Sequence, residues 1–231
     1  MKKRICMRSY PFLLLGILLI FFNACKKDNS SSPSDTVTDA DGNIYHTVTI
    51  GTQVWMVENL KTTHLNDGIT EIAAITDNTS WGGLITPALC WYNNDITNKA
   101  TYGALYNWYA VNTGKLCPSG WHVPSDAEWV TLITYLGGDS IAGGKLKESG
   151  TAHWNSPNTG ADNSSGFTAV PAGSHYTNGY YYYNGKYGWY WSSTESSSDN
   201  AWHIYVNYLS AAITRKDGSK KIGFSVRCIK D

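Results

Sequence analysis

Apolar positions recur along this chain with two different periods, and the places where the period changes delimit its elements. Residues 43–50 and 52–57 are β-branched and aromatic runs joined through Gly51, the pattern of two successive strands. Residues 201–209 alternate Trp202, Ile204, Val206 and Tyr208 with polar or mixed partners, which predicts a half-buried strand. Residues 222–229 read as a last strand, with Phe224, Val226 and Cys228 on one face. The period lengthens after Pro124: Ser125 and Glu128 have capping-box spacing, and Trp129, Leu132, Ile133 and Leu136 follow at helical intervals up to Gly137-Gly138. Shorter helices are expected around 102–111 and 140–148, the second weakened by Gly143-Gly144. Strands and helices in mixed order, separated by loops rich in Gly, Asn, Ser and aromatic residues, predict an α+β domain.

The first residues obey a different rule. Lys2, Lys3, Arg4 and Arg8 precede an apolar run over 12–22, followed by Asn23-Ala24-Cys25. Eleven residues of helix rise only about 16 Å, against a hydrocarbon core of roughly 30 Å. The segment 1–24 therefore predicts an export signal and not a membrane span. Apart from Asn23, the junction resembles the bacterial lipobox, which would make Cys25 the lipidated first residue and the membrane anchor of the mature protein. Residues 25–38 hold Lys26, Lys27, Asp28 and a serine run around Pro33, a composition too polar to offset its ordering entropy, and are expected to form a tether. Charges just after a lipidated cysteine resemble the surface-export signals of bacterial lipoproteins, so the expected location is the outer membrane, facing outward. Residues 39–231 show no second linker and no repeat and predict one domain.

Four cations and no anion precede Cys25, so the otherwise neutral chain leaves a mature protein of net charge about −4. Without basic runs such a protein is not built to displace counterions from nucleic acid. Cys90, Cys117 and Cys228 remain in an exported domain, giving one disulfide and one odd thiol. Three pairings are possible. Cys117 with Cys228 is the expected one, worth roughly 3 to 4 kcal/mol through the long loop it closes.

Asp126 and Glu128 could form an acid/base pair, but a capped helix start explains both. His122 fits a hydrogen-bonded turn. Asp39-x-Asp41-Gly42-Asn43 opens like a calcium loop, yet its glycine comes too early and no Glu stands at the twelfth position, so a hairpin turn is expected and no metal or cofactor is assigned. No spacing typical of a nucleophile beside a base or of a zinc site occurs, and no catalytic residue is expected.

Ten Trp and sixteen Tyr against five Phe is a skewed inventory, concentrated in residues 176–191. Tyr180, Tyr182, Tyr187, Trp189 and Trp191, with Asn between them, offer flat faces plus hydrogen-bonding groups, the combination of a sugar-stacking or protein-binding platform. The same run also fits a hairpin with one tyrosine face on the core and the other wet.

Eight ordered motifs carry a resemblance. They include Asp39-Ala40-Asp41-Gly42-Asn43, Trp55-Met56-x-Glu58-Asn59-Leu60, Tyr102-Gly103-Ala104-Leu105-Tyr106-Asn107-Trp108, Gly120-Trp121-His122-Val123-Pro124-Ser125, Gly166-Phe167-x-Ala169-x-Pro171 and Ser225-Val226-Arg227-Cys228. Together they resemble the Fibrobacter succinogenes major paralogous domain family, a resemblance that implies an exported lipoprotein and brings no activity with it. The helix-start and Gly223-Phe224-Ser225-Val226-Arg227 segments are also similar to the formylglycine-generating enzyme group. That likeness implies a C-type-lectin-like fold of short antiparallel strands, two or three helices and long loops. The catalytic cysteine pair of that group has no evident counterpart. A non-catalytic module binding a glycan or a surface protein is therefore expected; the alternative, a degenerate enzyme, would need Cys90 close to a free Cys228.

Overall fold

A computed structural model describes residues 35–231, so the expected signal segment, Cys25 and most of the tether lie outside the described residues. The main strands are β1 (Thr36–Thr38), β2 (Ile44–Ile50), β3 (Gln53–Met56), β4 (Ala88–Cys90), β5 (Tyr187–Glu195), β6 (Asn200–Asn207), β7 (Ile213–Ser219) and β8 (Ile229–Lys230). Among the described residues two helices exceed a single turn, α1 (Asp126–Tyr135) and α2 (Asp139–Leu146), giving a mixed α+β architecture dominated by strands.

Thr36–Thr38 pairs antiparallel with Ile44–His46, so the polar segment expected to be tether ends in an edge strand. Gly51, at φ +64°, makes the turn that lets β3 fold back on β2. Strand β8 then pairs with β3 through Ile229 and Trp55, and its other edge takes Trp121–His122, which brings both ends of the domain into one five-stranded sheet. Cys117 and Cys228 form the expected disulfide beside this junction, Cα atoms 6.0 Å apart across 111 residues of sequence.

The second sheet, β5-β6-β7, is antiparallel throughout. It buries both faces. Tyr190, Ile204, Val206 and Ile213 pack with Trp55, Trp129 and Leu132 of β3 and α1, whereas Trp189, Trp191 and Ala201 join Met56, Tyr106, Phe224 and Val226 on the other side. This explains why Trp189-Tyr190-Trp191 shows no alternation: a strand covered on both faces reads as a continuous apolar run. The platform expected at Trp189 and Trp191 is corrected accordingly, since Trp191 is fully buried and Trp189 is 6% exposed. Most buried indoles find acceptors, among them Trp191 on the Tyr106 carbonyl (2.8 Å) and Trp154 on that of Ala169 (2.9 Å).

Helix α1 forms as its sequence requires. The Ser125 hydroxyl accepts from Glu128 N (3.3 Å), Glu128 Oε2 accepts from Ser125 N (2.7 Å), and Trp129, Leu132 and Ile133 face the core. Two expectations fail. Residues 102–111 are not one helix: the chain makes a turn at Lys99–Tyr102, a two-residue strand at Leu105–Tyr106 and another turn at Trp108–Val111, because Gly103 (φ +71°) passes so close to Asn59 and Leu60 that it interrupts the helical path. Residues 222–228 are not a regular strand either. They run extended through the interior, touching Tyr106, His175 and Tyr190 by isolated bridges before β8 begins.

Arg227 lies on that interior run, fully buried and without a carboxylate. Its guanidinium donates to Asn59 Oδ1 (2.7 Å) and to the carbonyls of Met56 (3.0 Å), Phe167 (2.6 Å) and Val57, and lies 4.2 Å from the centre of the Phe167 ring. Neutral oxygens thus satisfy a buried charge and tie β3 to the last segment. Lys147 is treated alike: its ammonium donates to the carbonyls of Thr159, Asn207 and Ser210 at 2.8–2.9 Å.

Candidate functional site

The expected chemical groups are structural where the structure places them. Glu128 caps α1 and accepts from His122 (2.9 Å), whose other ring nitrogen contacts Asp231 (2.6 Å); Asp126 pairs with Arg215. Burial pulls the His122 pKa down, but the two carboxylates outweigh it and the net shift is upward. Asp39 Oδ1 accepts from the backbone of Asp41 and Asn43, closing a turn at Asp39–Asn43. Among the described residues no three His, Cys, Asp or Glu side chains converge on a metal position, and no helix is long and apolar enough to cross a membrane.

Cys90 is free and buried, its Sγ 3.3 Å from His175 Nδ1. Burial pushes the thiol up to about 12 and the imidazole down to about 4, so both groups are neutral at pH 7 and no thiolate forms. Cys228 is bonded to Cys117, so the free Cys90–Cys228 pair that the degenerate-enzyme alternative needs does not exist.

An open cleft of about 370 Å³ lies where the 176–187 segment meets the outer part of the β5-β6-β7 sheet, and unlike the other surface cavities it is lined mainly by aromatic rings. Strand register builds it. Trp189 stands opposite Tyr205, Trp191 opposite His203 and His203 opposite Lys216, so alternate residues of three strands share one face. The buried Trp189, His203 and Phe224 form the floor; Tyr176, Tyr183, Tyr187, Tyr205 and Lys216 are more exposed and form the rim. Trp189 stacks on Tyr187 (centroids 4.8 Å, 11°) and on Phe224 (5.8 Å, 11°), and Tyr183 leans on Trp189 at 5.8 Å.

Two features keep the cleft open. Gly218, opposite Ala201, lies beside His203, and a side chain there would meet the imidazole at 3.0 Å. Tyr183 holds φ +65°, a left-handed conformation that costs a bulky residue free energy and that aims this ring at the rim.

Its polar groups are distinctive. His203 Nδ1 is buried with no hydrogen-bond partner, and burial, then Lys216, lowers the imidazole pKa to about 4, leaving it neutral at pH 7. The Tyr187 hydroxyl is pushed up by burial and then by Tyr205, Tyr183 and Tyr208, and that of Tyr176 by burial and then by Tyr183 and Tyr182, which marks these phenols as near neighbours. Asp217 borders the cleft, but it is registered with Trp202, and its carboxylate turns to the other face, accepting from Asn200 Nδ2 (3.1 Å) and Ser196 Oγ (3.3 Å).

Of the five aromatic residues expected to bind, the structure brings Tyr187 and Trp189 into the cleft. Trp191 lies beneath it in the core. Tyr182 stacks edge-on with Tyr176 and accepts from Asn178 (2.8 Å), while Tyr180 stands exposed on the adjoining hairpin; neither lines the cleft. His203, Tyr205 and Lys216 were not legible as site residues. For His203 and Tyr205 the alternation in 201–209 was the one signal, and it pointed to the opposite face; no pattern singled out Lys216.

A family model described as the Fibrobacter succinogenes major domain matches residues 48–230. No curated protein and no solved structure matches the chain.

Proposed function

The chain belongs to the Fibrobacter succinogenes major domain family, and from that premise we propose a non-catalytic binding module, lipid-anchored through Cys25 to the outer membrane and displayed at the cell surface. Its ligand is a glycan or another surface protein, taken in the aromatic cleft. The observation that carries this reading is the half-buried Tyr187 ring, backed by the buried Trp189 and Phe224 at the floor of an open cleft that Tyr176, Tyr183 and Tyr205 rim. The neutral Cys90 and His175 support binding over nucleophilic chemistry. A C-type-lectin-like scaffold belongs to the same proposal; the meeting of the first and last strands in one sheet supports it.

The test is a glycan array probed with the detergent-solubilised full-length protein and with a Tyr183→Ala, Tyr187→Ala double variant. The reading expects binding that the double variant loses while its thermal unfolding stays cooperative. Binding that survives both replacements would remove the cleft from the account. A blank array would shift the ligand from glycan to surface protein. For the anchor, Cys25→Ser is expected to release the protein from membranes, and unchanged membrane partition would refute lipidation.

A further inference from the structure

Resting on that reading, we infer that the cleft accepts an acidic saccharide, with a pyranose face on the Tyr187 ring and a carboxylate or sulfate at Lys216. Three observations converge on this chemistry. The first is shape: about 370 Å³ of open cleft suits one or two sugar rings and not an extended protein surface. Tyr187, half-buried and backed by the Trp189 ring, presents the kind of flat, polarisable face on which the apolar C–H side of a pyranose lies.

The second is the kind of hydrogen-bonding group present. Tyr183, Tyr187 and Tyr205 bring phenols to the rim, and His203 brings a neutral imidazole whose buried Nδ1 has no partner in the protein. Neutral groups that both donate and accept match sugar hydroxyls, which do the same. An unpartnered nitrogen in a residue only 5% exposed is costly unless a ligand or water completes it.

The third is charge, and it separates acidic from neutral sugars. Lys216 shares the His203 face by register and forms none of the ion pairs found among the described residues. The neighbouring carboxylate, Asp217, is turned away and engaged on the opposite face. Among the described residues Lys216 is thus the one cation lining the cleft, free of any ion pair, while Asp217 beside it is held by Asn200 and Ser196. A neutral sugar would leave that ammonium unused. A nucleic acid would require several cations along a groove, and one lysine does not supply them.

Titration calorimetry of the detergent-solubilised full-length protein with trigalacturonate and with its neutral counterpart galactotriose tests this. Trigalacturonate is expected to bind at least tenfold tighter, with the advantage shrinking as salt is raised. Lys216→Gln, at an exposed position, is expected to remove that advantage without altering unfolding, and Tyr183→Ala to weaken both ligands. Equal binding of the two sugars, or a preference that survives Lys216→Gln, overturns the acidic assignment; if Tyr183→Ala still weakens the neutral sugar, the binding-module reading stands. Absence of binding by either sugar also overturns the inference, and the wider array with its double variant then decides the module reading separately.

Discussion

Tyr183 concentrates the argument at the scale of the residue. A tyrosine at φ +65° is strained by about 1 to 2 kcal/mol relative to its relaxed backbone, and that strain holds the ring against Trp189. Tyr183→Gly is accordingly predicted to raise stability by about 1 kcal/mol, net of glycine's larger unfolded-state entropy, while weakening ligand binding; urea unfolding beside a binding assay checks both. The two buried histidines give a pH prediction of definite sign. His175 and His203 have folded pKa values near 4 because burial disfavours their charged forms, against about 6.5 when unfolded. Between those values the unfolded chain binds more protons, so their contribution is complete above pH 6.5 and is lost as pH falls toward 4, by up to about 3 kcal/mol each. Urea midpoints at pH 7.5 and 4.5 should differ in that direction, and His203→Gln should reduce the difference. His122 opposes this, since its raised pKa adds stability at acid pH that is lost as pH rises through the folded value.

Among the elements, those with complete local signals were legible in the sequence. The Ser125–Glu128 capping box and the Trp129–Leu132–Ile133 face specify α1 from within ten residues, and Gly51 specifies the β2–β3 turn. Segments shaped by distant neighbours were not. Residues 222–228 alternate like a strand, yet Ser225 and Arg227 on the supposedly wet side are buried against elements far away in sequence. The site suffered in the same way: Trp189 and Trp191 look alike in sequence and share one face of β5, and only the His203 and Phe224 rings packed over Trp191 leave Trp189 as the one that borders the cleft. Helix α2 shows the reverse case, where a poor local signal has a tertiary cause. A Cβ at Gly143 would lie 2.3 Å from the Ala212 carbonyl, and one at Gly144 2.3 Å from that of Gly160. Gly143→Ala, which would gain about 1 kcal/mol in an exposed helix, is predicted here to cost about 2 kcal/mol through overpacking. Thermal unfolding of the single variant distinguishes the two signs.

For the whole molecule, closure of the chain ends is the organising event. Strand β8 completes the sheet begun by β2 and β3, Arg227 bonds across to Met56, Val57 and Asn59, and the Cys117–Cys228 bridge closes a loop of more than a hundred residues. Replacing both cysteines by serine is predicted to lower unfolding free energy by about 3 to 5 kcal/mol, read as a lower denaturant midpoint with a steeper slope, because the unlinked denatured chain exposes more surface. The same closure delivers Phe224 beneath Trp189 and so completes the cleft floor. Cleft binding is the central claim, and hydrogen–deuterium exchange of the full-length protein with and without saturating trigalacturonate tests it most directly. The account predicts added protection over residues 183–189 and 213–218, which frame the cleft; protection confined to any other part of the domain would contradict it.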